Sequence, residues 1–242
     1  MKKIIMLVIL LLVMLGVEVM AASTYQTNLP IIFKNPPPTQ TPTPTSTPIP
    51  YGIHILPNST IYETGGMTNV VGEVFNNTDD SLYNVEVTVE FYNTFGTMVG
   101  TGSTLLTPLN LPPRQMGCFI IIIYDVLADW TYYIFDPPGY EFGSSSADLN
   151  IIYDQDSYNS TYGDYEITGL VRNDGYQSSY SVGVGGTLYN AADLPVGCEY
   201  GYLSAPDLAP GQGSDFYLYY SGSNRDYYDV TDYHLRVAGD LP

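Results

Sequence analysis

Moved forward by 97 residues, the stretch Thr68–Phe119 falls on Tyr165–Phe216 without a gap. Identical pairs recur along the whole alignment: Gly72/Gly169, Val74/Val171, Asn76/Asn173, Tyr83/Tyr180, Val85/Val182, Val87/Val184, Tyr92/Tyr189, Asn93/Asn190, Val99/Val196, Gly100/Gly197, Leu111/Leu208, Pro113/Pro210, Gln115/Gln212 and Phe119/Phe216. A repeat of this length is a duplicated module rather than a solenoid turn, because each copy is long enough to bury its own core. The chain is therefore constrained to a structure that can be built twice.

Each copy reads as strands. Val85, Val87, Val89 and Phe91 alternate with Glu86, Thr88, Glu90 and Tyr92, a period of two that puts apolar side chains on one face. Asn76–Asp80 and Asn173-Asp174-Gly175 are turns, rich in residues that bond their own backbone or accept positive φ. A second turn, Leu-x-Pro-x-Gln, precedes Phe119 and Phe216. Short strands at this spacing predict an all-β chain with helix nearly absent. It would hold two tandem immunoglobulin-like antiparallel β-sandwich modules, over 51–141 and 142–242.

The N-terminus has a different texture. Lys2 and Lys3 precede an apolar run from Ile4 to Val17, and Val19-Met20-Ala21 offers a small-x-small cleavage pattern. That is the grammar of a secretory signal over 1–21, and the run is short for a spanning helix. Cleavage would leave Ala22 at or near the mature N-terminus and no membrane span; retention as an anchor is the competing reading. Residues 22–50 form a linker whose second half, Pro36–Pro50, alternates Pro with Thr. Such a segment prefers extended polyproline II and could hold a domain roughly 45 Å from its anchor. Leu29, Ile31, Ile32 and Phe33 make a small apolar patch before it, suited to docking on the folded part or on the envelope.

Charge excludes whole classes of partner. The formal net charge is -18, and beyond Lys34 the only cations besides histidine are Arg114, Arg172, Arg225 and Arg236. Nucleic acid and anionic lipid both require clustered Lys and Arg, so neither is expected to bind. Tyrosine is over-represented, with 24 copies against 8 Phe and 1 Trp, which fits strands and also suits exposed stacking platforms.

Gly72-Glu73-Val74-Phe75-Asn76-Asn77, followed by Val85-x-Val87-x-Val89-x-Phe91-Tyr92-Asn93-x-x-Gly96-x-x-Val99-Gly100, resembles the bacterial FxLYD family of extracytoplasmic modules. The second copy carries Gly169–Asn173 and Gly186–Asn190 at the same places. Val89 and Gly186 stand where the motif has Phe, and Asn93 and Asn190 stand for its Asp. The resemblance covers about half of each module. It implies a sandwich in an envelope or secreted setting, with no catalytic residues to carry over.

Catalytic chemistry finds little footing. The two histidines, His54 and His234, lie at opposite ends of the repeat, with no nucleophile elbow, and two histidines with two distant cysteines make no zinc spacing. A glycosidase-type carboxylate pair depends on geometry rather than composition. Asp154, Asp156, Asp226, Asp229 and Asp232 crowd probable loops, but without the Gly and distal Glu of an EF-hand they read as solvated turns. No cofactor is expected. Cys118 and Cys198 lie in different copies and are expected to stay unpaired. Cys118 should point out of its module, and Cys198, sharing the parity of Val196, should be buried in its own core.

One face stands out as a candidate for interaction. If Phe119 and Phe216 point inward, Ile120 and Ile122 point outward in the first copy, and Tyr217 and Tyr219 outward in the second. The isoleucines would need covering by the second module, by the Leu29–Phe33 segment or by another subunit, so self-association is open. The tyrosines would either lie across Gly183 and Gly185 of a neighbouring strand or serve as a sugar platform. Overall the chain reads as a non-enzymatic structural, adhesion or assembly protein, secreted or on the bacterial cell surface. Its partner would be an envelope protein or glycan; the alternative is a carbohydrate-binding module using exposed tyrosines.

Overall fold

The computed structural model describes residues 32–33, 49–143 and 148–242. The signal segment 1–21 and most of the 22–50 linker, including Leu29, Ile31 and the Pro/Thr run up to Pro48, lie outside the described residues. The chain is all-β, with no helix among the described residues. None of them forms a helix long and apolar enough to cross a membrane.

In chain order the strands are β1 (Ile32–Phe33), β2 (Gly52–Ile55), β3 (Thr60–Thr64), β4 (Met67–Asn77), β5 (Leu82–Tyr92), β6 (Met98–Leu105), β7 (Asn110–Leu111) and β8 (Met116–Ile123). They continue as β9 (Tyr132–Phe135), β10 (Gly139–Phe142), β11 (Leu149–Asn159), β12 (Asp164–Asn173), β13 (Tyr180–Asn190), β14 (Pro195–Tyr202), β15 (Gly213–Tyr220) and β16 (Val230–Asp240). Every pairing is antiparallel. In the first sandwich, β2, β3 and β8 flank β4, while β6, β7, β9 and β10 flank β5. In the second, β11-β12-β15 faces β14-β13-β16. Strand β1 adds to the first sandwich, pairing Ile32 with Tyr133 and Phe33 with Tyr132.

The identical residues of the repeat hold identical posts. Asn76 donates through Nδ2 to Leu111 O at 3.0 Å and Asp80 O at 2.9 Å. Asn173 does the same to Leu208 O and Gln177 O, both at 2.8 Å. Each buried amide thus satisfies carbonyls from two turns that would otherwise be stranded. Asn93 Oδ1 accepts from the backbone of Phe95 and Thr97, and Asn190 Oδ1 from that of Ala192 and Leu194, closing the same hairpin. Gly72 pairs with Phe119, and a Cβ there would come within 2.5 Å of that ring. Gly169 and Phe216 repeat the arrangement, so an aromatic ring covers a bare glycine in both cores.

Alternation places the cores. Val85, Val87, Val89 and Phe91 are fully buried with Val70, Val74, Phe119, Ile121 and Phe135. Val182, Val184 and Leu188 join Ile167, Val171, Phe216, Leu218 and Tyr220 in the second core. Edges differ by proline. Pro57 separates β2 from β3, and Pro137 and Pro138 separate β9 from β10, because proline lacks the N–H that a ladder needs. The corresponding β11 and β16 contain no proline and run unbroken for 11 residues each.

Candidate functional site

The sandwiches meet face to face. The outer face of β4 and β8 lies against the outer face of β14, β13 and β16. At its centre Cys118 and Cys198 form a disulfide with Cα atoms 5.7 Å apart, buried with Val71 and edged by Tyr62 and Ile120. The expectation of unpaired thiols is therefore corrected. Cys118 does point out of its own core, as alternation requires. Cys198 is buried too, but by the other sandwich. The register between β13 and β14 shifts where Leu188 faces Gly197 and Tyr189 faces Pro195, leaving Val196 as the extra residue. A bulge breaks the period of two, so Val196 and Cys198 no longer share a side.

Polar groups lock the same contact. Glu73 is almost fully buried, and accepts hydrogen bonds from Thr187 Oγ1 at 3.1 Å and from the Tyr189 hydroxyl at 2.5 Å. A carboxylate out of water needs such donors, and both come from the opposite sandwich. Arg236 is buried as well. Its guanidinium donates to Pro108 O at 2.7 Å and to Asn110 O, and desolvation pulls its pKa down from the ordinary value. Arg225 sits 5.8 Å from the centre of the Tyr62 ring, a cation–π contact across the interface. Beside them His234 is half-buried. Burial holds its imidazole below the ordinary value, against the opposing pull of Glu73, so its contribution is present above that value and lost as pH falls through the lowered one.

The proposed outer-face residues are dispersed. Ile120 is half-buried at the rim of the disulfide cluster, whereas Ile122 is 41% exposed. Tyr217 and Tyr219, 47% and 41% exposed, project from β15 with centroids 6.2 Å apart and ring planes 21° apart. Partial desolvation and then the Glu166 carboxylate push the Tyr217 hydroxyl up to about 12. They do not lie over the glycines of β13, which is a correction: β15 pairs with β12, and β13 belongs to the opposite sheet. Gly183 is covered instead by the Tyr200 ring from β14, and Gly185 by Thr107 and Pro108 of the first sandwich.

The abundant tyrosines have a second use that no sequence pattern announced. Tyr158 donates to Asp226 at 2.8 Å, and Tyr92, Tyr165 and Tyr233 donate to Glu90, Asp156 and Asp154. With almost no cations available, carboxylates find phenol hydroxyls as partners. Asp154, Asp156 and Asp226, expected on solvated turns, are occupied in this way, and the first two lie in strand β11 rather than on a loop. Among the described residues no three His, Cys, Asp or Glu side chains gather as a metal site. His54 bonds Pro50 O at 2.7 Å, and among the described residues no hydrogen bond brings a nucleophile to it.

Two of the grooves among the described residues flank the interface. The larger, about 430 Å³, runs between Phe75, Arg114 and Gln115 on one side and Asn150, His234 and Arg236 on the other. The smaller, about 190 Å³, lies by Pro108, Tyr200 and Asp240.

No protein-family model matches the chain, and no curated protein sequence is similar to it. Among solved structures, the exo-chitosanase CsxA of Amycolatopsis orientalis aligns at 13% identity and a TM-score of 0.27, over 75% of this chain and 25% of that one. Red sea bream transglutaminase aligns at 10% identity and 0.26, over 76% and 29%. The chain thus spans under a third of the length of either protein.

Proposed function

We propose that this chain is a non-enzymatic structural, adhesion or assembly protein, exported to the bacterial cell surface or beyond. In this reading two immunoglobulin-like modules of the FxLYD kind form one stiff unit on a Pro/Thr stalk. The observation that carries it is the Cys118–Cys198 bridge between the sandwiches. Stable disulfides belong to oxidising compartments, in keeping with the signal-like N-terminus. A bridge at the centre of a buried interface also removes the hinge that a flexible catalytic or signalling pair would need. Fractionation with N-terminal mass spectrometry tests the proposal. Recovery outside the cytoplasm beginning near Ala22 supports it; a reduced protein retained in the cytoplasm refutes it.

A second reading has one observation in its favour: Tyr217 and Tyr219 stand exposed as a near-parallel pair. Aromatic pairs on a flat sheet face suit stacking against sugar rings. Glycan-array screening of the protein and its Tyr217→Ala/Tyr219→Ala variant separates the two. Binding lost with stability intact favours a glycan platform, and no binding in either protein leaves a purely structural role.

A further inference from the structure

The larger groove between the sandwiches is electrostatically unlike the rest of the molecule. The whole chain carries 25 acids against 7 lysines and arginines, yet no Asp or Glu lines this groove. Two of the four arginines beyond Lys34 do, Arg114 and Arg236, together with His234, one of only two histidines. The arginines come from different sandwiches, so the groove's charge exists only because the interface forms. Arg114 reaches out to Asp79 at 2.8 Å and remains half exposed. Arg236 is about 95% buried, pairs with no carboxylate among the described residues, and has an Nε without a hydrogen-bond partner. A buried cation held by backbone carbonyls alone is an incompletely compensated charge, the state an anionic ligand would relieve.

The rest of the lining narrows the ligand. Phe75 gives an apolar wall, and Gln115 offers an amide that both donates and accepts; Asn150, whose Nδ2 already donates to Asp174 at 2.9 Å, offers its carbonyl oxygen as an acceptor for a ligand hydroxyl. A volume of about 430 Å³ is in the range of small-molecule sites. Inorganic phosphate would leave the apolar wall facing water, and a simple fatty acid would leave the Gln115 amide and the Asn150 carbonyl oxygen without a hydroxyl to bond. A carboxylated sugar ring meets all three demands. We propose that this groove binds a hexuronate, its carboxylate on the side of Arg114 and Arg236, its hydroxyls toward Gln115 and Asn150, and a ring face on Phe75. The proposal is independent of whether the unit serves as a surface spacer, and the titration below does not test compartment.

The disulfide-bonded full chain is titrated with glucuronate, glucose, benzoate and phosphate, followed by calorimetry or NMR shifts. The expected result is saturable glucuronate binding with a Kd of about 1 mM or tighter, and at least about tenfold weaker binding of the other three. Arg114→Gln changes an exposed side chain and should leave Tm unchanged while weakening glucuronate at least about fivefold. Asn150→Ala, also on the lining, should weaken it as well. No saturation by glucuronate overturns the proposal, as does equal binding of glucose. Benzoate binding as tightly as glucuronate overturns the sugar assignment, and affinity indifferent to both substitutions overturns the site.

Discussion

Strands β5 and β13 occupy the same place in the two sandwiches and live in opposite surroundings. Both send an inward row into a core: Val85, Val87, Val89 and Phe91 in one, Val182, Val184 and Leu188 in the other. The outward row of β5 is Glu86, Thr88 and Glu90, which meets solvent. The outward row of β13 is Gly183, Gly185 and Thr187, and every residue from Val182 to Leu188 is buried. Glycine stands at the place of Thr88 where the neighbour's backbone approaches, since a Cβ on Gly185 would stand 2.6 Å from Thr107 O, and Gly183 stands at the place of Glu86 under the Tyr200 ring. The comparison teaches that the two sheets share the inward pattern, while the outward pattern records what each sheet packs against.

Cutting the covalent link is the most severe way to break the comparison. Replacing Cys118 and Cys198 together by Ser opens a loop of 80 residues and should cost about 4–5 kcal/mol on the chain-entropy scale. Chemical denaturation of the two proteins measures it, and a loss below about 1 kcal/mol would mean the bridge is incidental. Next comes the backbone approach. Gly185→Glu puts a charged side chain on the covered outward row of β13 and should destabilise by about 3 kcal/mol or more, whereas Thr88→Glu at the matching place on β5 should stay within about 0.5 kcal/mol. Equal effects in thermal melts would show that the two outer faces are equally free.

The buried carboxylate sharpens the contrast further. Glu73→Ala strands the Thr187 and Tyr189 hydroxyls and should cost about 2 kcal/mol. A double-mutant cycle with Tyr189→Phe should recover part of that cost as coupling energy, and strict additivity would deny the contact. The smallest effect concerns alkali. Burial, and then its carboxylate partner, raises the hydroxyl pKa of Tyr189, Tyr165 and Tyr233 above the ordinary value of 10. A raised folded value means stability fully present below pH 10 and lost as pH climbs through the folded values. Melts followed with tyrosinate absorbance should show that decline beginning near pH 10, and flat stability beyond it would contradict the pairing.

Much of the fold could be read from residues alone. The 97-residue register, the alternation of Val85–Phe91, and the turns at Asn76 and Asn173 all rest on local rules that survive folding. The interface was legible only as one of three coverings for the Ile120 and Ile122 face, with Ile120 packed at its rim. Periodicity says which side of a strand faces outward, not which other sheet comes to cover it, so Gly183, Gly185 and Thr187 carried no visible instruction. The cysteines were misjudged for two reasons: the bulge at Val196 inverted the parity that placed Cys198, and pairing across copies depends on how sandwiches dock. Tyrosine was legible as a strand former, but its hydroxyl contacts to Asp154, Asp156 and Asp226 join residues from different strands and loops, where spacing carries no signal.

That one interface turns two similar sandwiches into a single unit is tested most directly by digesting the unreduced, alkylated protein and mapping its peptides by mass spectrometry. Cys118 and Cys198 should appear in one linked pair of peptides with no alkylated thiol, in line with their 5.7 Å Cα separation. Recovery of both cysteines as separate alkylated peptides would contradict the account.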